Sequence, residues 1–444
     1  MGALLTGRGL AVPATLVALP LGILAAWNPL AGLIFLGGGL LLIFVVLRAE
    51  LLMLVLVAAL PWEDALNYPS ETITVVKLLG VLLFAAWLLR TAVRNDRLEL
   101  PRTLIPVAIL GFVVTLSYLL SPDTTVGVGK VLRYVLFIIF FFLVVQLTED
   151  RAQVVRILRV IGLSATLAGA YALYRFVFDP ASGLAAGPIG DPNDFAYFIA
   201  CILPLVGYLI IRDRAARVPW ALAFLLLSGT LLATLSRGAL VGLAALAVWG
   251  VLSRRLPFAG VAVGAGVLIT VAVLSLTFFA PLLQQRLDYK GNYDNKNVAS
   301  RQATWSAALQ MAADRPLLGI GPARFGEEAV NYVRNNPIAS DKPVVHNSYL
   351  DVLAESGPVA MLAFLVFLGG TWRLIGRARD ATIAAGDIDG RRLTTAMQAT
   401  MVPAIVSAMF LSQQLTTPFW LIGALATVMA RSAVSGEDPL RHVD

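Results

Sequence analysis

The sequence has few of the side chains from which catalytic and metal sites are commonly built. Its 444 residues include one cysteine and two histidines, and charged residues make up only 14% of the chain. A single cysteine excludes an internal disulfide, and two histidines exclude a cluster of imidazole metal ligands. The chain also has no His-Glu-x-x-His motif and no Gly-x-Ser-x-Gly motif with a plausible triad. In a typical soluble domain, about a quarter of the residues are charged, so this composition is unlike that of a soluble domain.

Hydrophobic residues are abundant instead. They make up 58% of the chain, and the mean hydropathy is +0.81. Apolar runs long enough to cross a hydrocarbon layer of ~30 Å follow one another almost from end to end, and only helices satisfy their own backbone groups there. The sequence therefore predicts an all-α, polytopic integral membrane protein with about 12 to 14 transmembrane helices. The first run, near residues 10–27, is expected to remain as a span and not to be cleaved as a signal peptide.

Basic residues are concentrated in alternate loops between these runs. By the positive-inside rule, such loops and both termini face the cytoplasm. The basic loops are 90–102, 148–156, 212–217, 253–257 and 372–392. The other loops then lie outside, including one large insertion from about residue 281 to 346. The net charge of +7 follows from this topology and does not indicate a nucleic-acid partner.

The insertion divides the chain into three predicted regions. Residues 1–280 are N-terminal transmembrane helices, 281–347 form a helical cap, and 348–444 are C-terminal transmembrane helices with a short cytoplasmic tail. Within the cap, Ser300 is expected to cap a helix that ends at Asp314, and Gly321-Pro322 to open a second helix.

His346 is at the junction between the cap and the next apolar run. Asn347 or Ser348 is expected to cap the helix that follows, and Ser348 and Asp351 have capping-box spacing. A helix N-terminus is electropositive, so it disfavours imidazolium and keeps the ring available as a base or a hydrogen-bonding group. The alternative is an ordinary surface histidine at the end of a loop.

Several basic side chains lie near the predicted outer ends of spans, where the positive-inside rule disfavours them. They are Lys77, Lys130, Arg133, Arg175 and Arg237. Each could extend its charged group to the lipid headgroups, but together they indicate a site for an anion at the outer surface. Guanidinium groups bind phosphate through paired hydrogen bonds. A lipid-linked phosphate or pyrophosphate is therefore the expected ligand.

Two further stretches are weaker signals. Asp387 and Asp389, in the sequence GDIDG, have the Asp-x-Asp spacing of a metal site, but the topology places them in a cytoplasmic loop. We expect a solvated turn there. The glycines of GIGPARFG, residues 319–326, are spaced loosely like a phosphate-binding loop, yet no strand precedes them. Tight turns between helices are the simpler interpretation.

Four short motifs occur in an order that resembles the O-antigen ligase and O-antigen polymerase superfamily. They are DPNDFA at 191–196, SRGALVG at 236–242, Arg301 and Trp305 followed by RPLLGIGPARF at 315–325, and HNSYLDVLAESG at 346–357. The resemblance covers roughly residues 120 to 430 and implies a polytopic helical fold with one large periplasmic loop, similar to GT-C glycosyltransferases.

This resemblance also implies a reaction and a set of roles. Such proteins transfer a glycan from undecaprenyl pyrophosphate to an acceptor hydroxyl at the periplasmic face of the bacterial inner membrane, without a metal or another cofactor. His346 would activate or orient the acceptor hydroxyl, Arg237 and Arg301 would bind the pyrophosphate, and Asn193 would organise the site, with Asn347 as a supporting residue. Arg133 and Arg175 are added to the pyrophosphate site from charge and topology.

The family resemblance leaves the acceptor open. A ligase, the favoured interpretation, transfers the finished glycan to lipid A-core, whereas a polymerase extends the lipid-linked chain. Relatives that modify proteins usually have additional C-terminal sequence. An alternative from another class is a lipid or solute transporter whose basic residues line a path. Transporters commonly have inverted repeats, whereas the polar residues here gather on one predicted face.

Overall fold

A computed structural model describes residues 48–66, 74–94, 98, 100–179, 183–278, 284, 297–333 and 343–434. These residues form helices and turns with no strand among them, which confirms the all-α fold. The predicted spans at 10–27 and 29–47, the start of the insertion and the C-terminal tail lie outside the described residues.

Fourteen α-helices occur in the described part of the chain. In order, they are α1 Ala49–Ala59, α2 Val75–Arg94, α3 Leu104–Leu119, α4 Val128–Leu147, α5 Arg151–Phe178, α6 Pro192–Arg212, α7 Arg217–Ala233, α8 Arg237–Leu252, α9 Phe258–Phe278, α10 Asn297–Asp314, α11 Phe325–Tyr332, α12 Ser348–Ala384, α13 Ile388–Ser407 and α14 Thr417–Val434. Short 3₁₀ turns follow α1 and precede α6 and α7.

Six of these helices are long and apolar enough to cross a membrane, and four shorter apolar helices accompany them. The six are α2, α4, α5, α6, α7 and α12. Many of their outward side chains are large and hydrophobic, for example Val81 and Phe178, which are 58% and 69% exposed. Such surfaces are typical of helices that face lipid. The protein is thus consistent with a polytopic membrane protein, while the predicted number of spans remains a prediction.

The loops predicted to be cytoplasmic meet at one end of the bundle. Arg151, at the start of α5, forms ion pairs with Asp387 and Asp389, and Asp389 also accepts from Arg212 Nε at 3.2 Å. Asp387 caps α13 by accepting from Gly390 N at 2.9 Å. The expectation of a solvated turn at 387–389 was wrong, because basic residues far away in sequence come to the same end and pair with these carboxylates.

The cap joins the membrane helices where two backbone segments cross. Ile320 N and Gly321 N donate to the carbonyl oxygens of Ala354 and Glu355 at 2.9 and 3.0 Å. At Gly357 the backbone of α12 leaves the helical conformation, with φ 79 and ψ 178. A Cβ at this glycine would lie 2.2 Å from the Leu317 carbonyl oxygen. The glycines therefore permit close turns, as predicted for residues 319–326.

The two cap helices begin at other residues than predicted. Helix α10 starts at Asn297, so Ser300 lies inside it and is not its cap. Helix α11 starts at Phe325, because Gly321 and Pro322 belong to the turn that crosses α12. A small apolar cluster that includes Met311, Phe325 and Val345 holds the cap helices together.

Candidate active site

His346 immediately precedes the cap of α12. The Asn347 side-chain oxygen accepts from Tyr349 N and Leu350 N at 3.0 and 3.1 Å, so Asn347 is the N-cap. Ser348 instead donates to the Leu411 carbonyl at 2.7 Å and accepts from Gln413 N at 2.6 Å. Asp351 pairs with a lysine, so the capping box suggested by the spacing does not form. His346 thus lies between the cap helices α10 and α11 and the fixed N-terminus of α12.

The backbone of His346 adopts an unusual conformation. Its φ is 50, in the left-handed region, which residues with a β-carbon adopt only where their surroundings impose it. Its neighbours on both sides are held. Trp305 Nε1 donates to the Val345 carbonyl at 3.0 Å, and Asn347 is fixed as the cap. Contacts of both neighbouring residues therefore hold the backbone of His346 in this conformation.

Burial and the nearby Arg301 favour a neutral imidazole at His346. Burial lowers its pKa from the ordinary 6.5, and the positive charge of Arg301 lowers it further. Asp191 and Asp351 act in the opposite direction, but their effects are smaller. A neutral ring can accept a proton from a hydroxyl group at ordinary pH.

Phe410 lies between the helices that carry Arg301 and Arg237. Arg301 is one helical turn before Trp305 on α10, so both face the same side. The Trp305 ring lies 6.5 Å from the ring of Phe410, and a Cβ at Gly238 would lie 3.4 Å from Phe410 Cβ. Arg237, the first residue of α8, precedes that glycine and is exposed.

The start of α8 follows a tight turn after α7. Leu235 has φ 53, and the Thr234 hydroxyl accepts from Ser236 N at 3.2 Å. The Ser407 hydroxyl donates to the Gly238 carbonyl at 3.1 Å, which fixes α8 against α13. These contacts hold Arg237 at the end of the bundle where His346 lies.

Asn193 lies in the first turn of α6, which is capped by Asp191. Asp191 Oδ1 accepts from Asn193 N at 2.7 Å and from Asp194 N at 3.0 Å. The same Asp191 is close enough to His346 to raise its pKa. Sequence reasoning selected Asn193 and missed Asp191, although an aspartate followed by proline is a typical helix start.

Arg133 and Arg175 both have carboxylate partners. Arg175 lies 2.6 Å from Asp179, one turn further along the chain, and the pair is partly exposed. Arg133 lies 3.7 Å from Glu63 and lines a cavity of about 140 Å³ together with Asp64 and Asp194. An acidic environment around Arg133 suits a pyrophosphate poorly, because carboxylates repel it.

Lys130 forms a buried ion-pair network that sequence reasoning did not find. Its Nζ lies 2.6 Å from both Asp351 Oδ1 and Glu355 Oε2. The Glu355 carboxylate also accepts from Ala323 N at 2.9 Å and from Phe325 N at 3.4 Å. The network thus connects α4, α12 and the start of α11, and Lys130 neutralises carboxylates of the protein itself. An anionic substrate would have to compete with them.

Comparisons with known proteins agree with this arrangement. The all-helical fold and its six long apolar helices are consistent with a multi-pass membrane protein. Residues 222–365 match the family model described as O-antigen ligase, and the match includes Arg237, Arg301 and His346. An O-antigen ligase of Pseudomonas aeruginosa is 26% identical over 330 residues, which cover 68% of this chain and 77% of that protein.

Both matches support placement of the chain in the O-antigen ligase superfamily and confirm the resemblance read from its motifs. The family implies a glycosyltransferase-like activity in lipopolysaccharide biosynthesis. The roles of individual residues are not tested by these comparisons and remain proposals.

Proposed function

We propose that the protein is an O-antigen ligase, which transfers a glycan from undecaprenyl pyrophosphate to a hydroxyl group of lipid A-core at the periplasmic face of the bacterial inner membrane. The main support is the position of His346, whose pKa is lowered by burial and by Arg301. A hydroxyl acceptor needs such a neutral base, and a pyrophosphate donor needs nearby cations.

Donor binding is the proposed role of the arginines. The guanidinium groups of Arg237 and Arg301 would bind the pyrophosphate oxygens with paired hydrogen bonds. Of the two arginines, Arg301 is better placed to act on both the donor and His346, because its positive charge lowers the pKa of the imidazole. Asn193 and Asn347 are supporting residues, because each lies in a capped helix start next to the site.

The proposed reaction is a single displacement at the anomeric carbon. The acceptor oxygen forms a bond to that carbon while the bond from the carbon to the pyrophosphate oxygen breaks. The hydroxyl proton passes to the imidazole of His346, and the bonding electrons leave with undecaprenyl pyrophosphate. Arginines stabilise the charge that develops on this leaving group, and the site positions the hydroxyl. The proposal requires no metal, so transfer should persist in a chelator.

The test is transfer by the purified protein from lipid-linked glycan to two acceptors. A ligase forms glycosylated lipid A-core, whereas a polymerase extends a second lipid-linked repeat unit. Movement of the lipid-linked glycan across vesicles without a new covalent product would indicate a transporter and overturn the proposal.

The matched variant for this assay is His346→Ala. Loss of the proton acceptor should reduce transfer by about 10² to 10⁴, while donor binding stays close to that of the unchanged protein. Parallel loss of donor binding would move His346 to the pyrophosphate site. Unreduced transfer would leave it as an ordinary residue before a helix.

A further inference from the structure

A cavity with acidic walls lies at the same end of the bundle as His346. It has a volume of about 140 Å³ and is bounded by the residues after α1, by α4, by the first turns of α6 and by the segment that leads into α14. We call it the acidic cavity. Its polar lining consists of Glu63, Asp64, Arg133, Asp194, Tyr197, Gln413, Thr416 and Thr417.

Charge makes the acidic cavity unsuitable for pyrophosphate. Three carboxyl groups and one guanidinium line it, so an anion would have to compete with these carboxyl groups for Arg133. Burial raises the pKa of Asp64, and the neighbouring Glu63 raises it further. The carboxylates also do not converge as metal ligands, because the described residues contain no group of three or more His, Cys, Asp or Glu side chains able to hold a metal ion. A neutral, hydroxyl-rich ligand remains compatible with this lining.

The size and walls of the acidic cavity suit part of one sugar ring. A cavity of about 150 Å³ accommodates benzene in another protein. A sugar ring is bulkier because of its hydroxyl groups, but the acidic cavity is partly open, so some of these groups can extend out of it. Phe137 and Phe198 provide apolar surface for the C–H faces of such a ring. Carboxylate oxygens accept hydrogen bonds from hydroxyl groups, and the Arg133 guanidinium donates to hydroxyl oxygens. This is the mixture of apolar walls and a few polar groups that binds small polar ligands.

One hydrogen bond connects the acidic cavity to the start of α12, close to His346. Gln413, which lines the cavity, donates from its side-chain nitrogen to Asp194 Oδ1 at 2.5 Å. Its backbone N–H donates to the Ser348 hydroxyl at 2.6 Å, and Ser348 is two residues after His346. Asp191, three residues before Asp194, acts electrostatically on His346. The acidic cavity and His346 therefore share neighbouring residues at one end of the bundle.

We propose that the acidic cavity binds a neutral sugar ring of the lipid-linked glycan, through hydrogen bonds from its hydroxyl groups to Asp64 and Asp194 and from Arg133 to the sugar. This inference rests on the proposed transfer of a lipid-linked glycan. It gives Arg133 a different role from that of Arg237 and Arg301, which bind pyrophosphate. Affinity for the donor then has two separable parts, one from the sugar and one from the diphosphate.

The experiment measures the binding of two probes to the purified full-length protein. One probe is undecaprenyl pyrophosphate with the O-antigen repeat unit of the producing bacterium, and the other is undecaprenyl pyrophosphate without sugar. The unchanged protein should bind the glycosylated probe at least about tenfold more tightly, as expected for hydrogen bonds to charged groups. Asp64→Asn and Arg133→Gln should each remove most of that preference and leave the affinity for the bare lipid unchanged.

Controls separate this proposal from its alternatives. Glu327 is an exposed residue of the cap, and Glu327→Gln should keep the preference for the glycosylated probe. Arg237→Gln should lower the affinity for both probes by the same factor. Arg133 is about half exposed, so Arg133→Gln should fold even if Asp64→Asn does not. The sugar site would be overturned if the unchanged protein bound both probes with equal affinity. It would also be overturned if the cavity variants lowered the affinity for both probes equally. A retained preference without transfer to any acceptor would instead refute only the proposed ligase activity.

Discussion

His346 combines a constrained backbone with a lowered pKa. Its φ of 50 is maintained while Trp305 holds the preceding carbonyl and Asn347 caps the next helix. Each of these contacts acts on the backbone and not on the imidazole ring. Positive φ at a residue with a β-carbon is found repeatedly at functional sites. The geometry is therefore compatible with a catalytic role that local sequence could only suggest.

At the residue scale, the first prediction concerns the guanidinium of Arg237. Arg237→Lys keeps the charge but cannot form two parallel hydrogen bonds to one phosphate. Transfer by the purified variant should fall roughly 10- to 100-fold, which corresponds to one lost charged hydrogen bond. Arg315→Lys, an exposed arginine in the cap, is the control. Full activity in both Arg237→Lys and Arg237→Ala at unchanged protein levels would exclude a role in donor binding.

A second residue-scale prediction concerns pH. His346 accepts a proton only when it is neutral, and its pKa lies below the ordinary 6.5 because of burial and Arg301. The midpoint of the acid limb of transfer should therefore lie below pH 6.5. Arg301→Gln removes one of the lowering charges, so the acid limb of its kcat profile should move to higher pH.

Arg315→Gln, which removes an exposed positive charge elsewhere in the cap, should leave the limb in place. The measurement is kcat from pH 5 to 8 for the three proteins. If the limb of Arg301→Gln stays where it is in the unchanged protein, His346 is not the group whose protonation limits the rate.

At the scale of elements, the junction between the cap and the bundle depends on one interrupted helix. The break at Gly357 lets the end of the first segment of α12 meet residues 317–321 backbone to backbone. The Glu355 carboxylate accepts a hydrogen bond from Ala323 N, two residues before α11, and it also pairs with Lys130 of α4. Since His346 lies two residues before this segment, the network that joins the cap to the bundle also supports the candidate active site.

Lys130→Met should destabilise this junction strongly. Asp351 and Glu355 have side chains only 8% and 4% exposed, and they would be left together without a counter-charge. Removing one partner of a buried ion pair typically costs about 3 to 5 kcal/mol. Thermal unfolding of the detergent-purified variant should show a correspondingly lower midpoint, and Glu355→Gln in the same chain should recover part of the loss.

The matched control is Arg159→Gln, which removes the more exposed pair with Asp213. Exposed pairs contribute at most about 1 kcal/mol, so its unfolding midpoint should change little. If Lys130→Met unfolds at the same temperature as the unchanged protein, the network does not stabilise the cap.

At the scale of the whole molecule, the two ends of the bundle have different chemistry. One end contains Arg151, Arg212 and the carboxylates of the turn before α13. The other contains the cap, His346 and the acidic cavity. Loops rich in basic residues face the cytoplasm in most membrane proteins. This asymmetry favours a site that opens to the periplasm.

The topology can be tested with single cysteines, because the natural Cys201 is buried. Gln310→Cys in the cap should react with an impermeant thiol reagent in intact spheroplasts, since residue 310 is exposed. Ala385→Cys, at the far end of α12 and also exposed, should react only after lysis. The reverse pattern would invert the protein in the membrane and contradict the proposed periplasmic site.

Local properties of the sequence determined the class of fold, the start of one helix and the superfamily resemblance. Apolar runs predicted the helices, because a helix satisfies its backbone by itself in lipid. The residues after His346 predicted a helix start, and Asn347 is the cap. The four motifs predicted the superfamily, which the comparisons support. Each of these inferences depends on residues that are close together in the chain.

Only the tertiary structure decided which charges become partners. Lys130 and Asp351 are 221 positions apart, and Arg151 and Asp387 are 236 apart. Arg133 looked like a phosphate ligand until the chain placed it beside Glu63, Asp64 and Asp194. The range of a close ion pair is a few ångströms, so its existence depends on how separate helices pack. Sequence alone gives the charge of each side chain, whereas packing decides whether that charge is neutralised within the protein or remains available to a substrate.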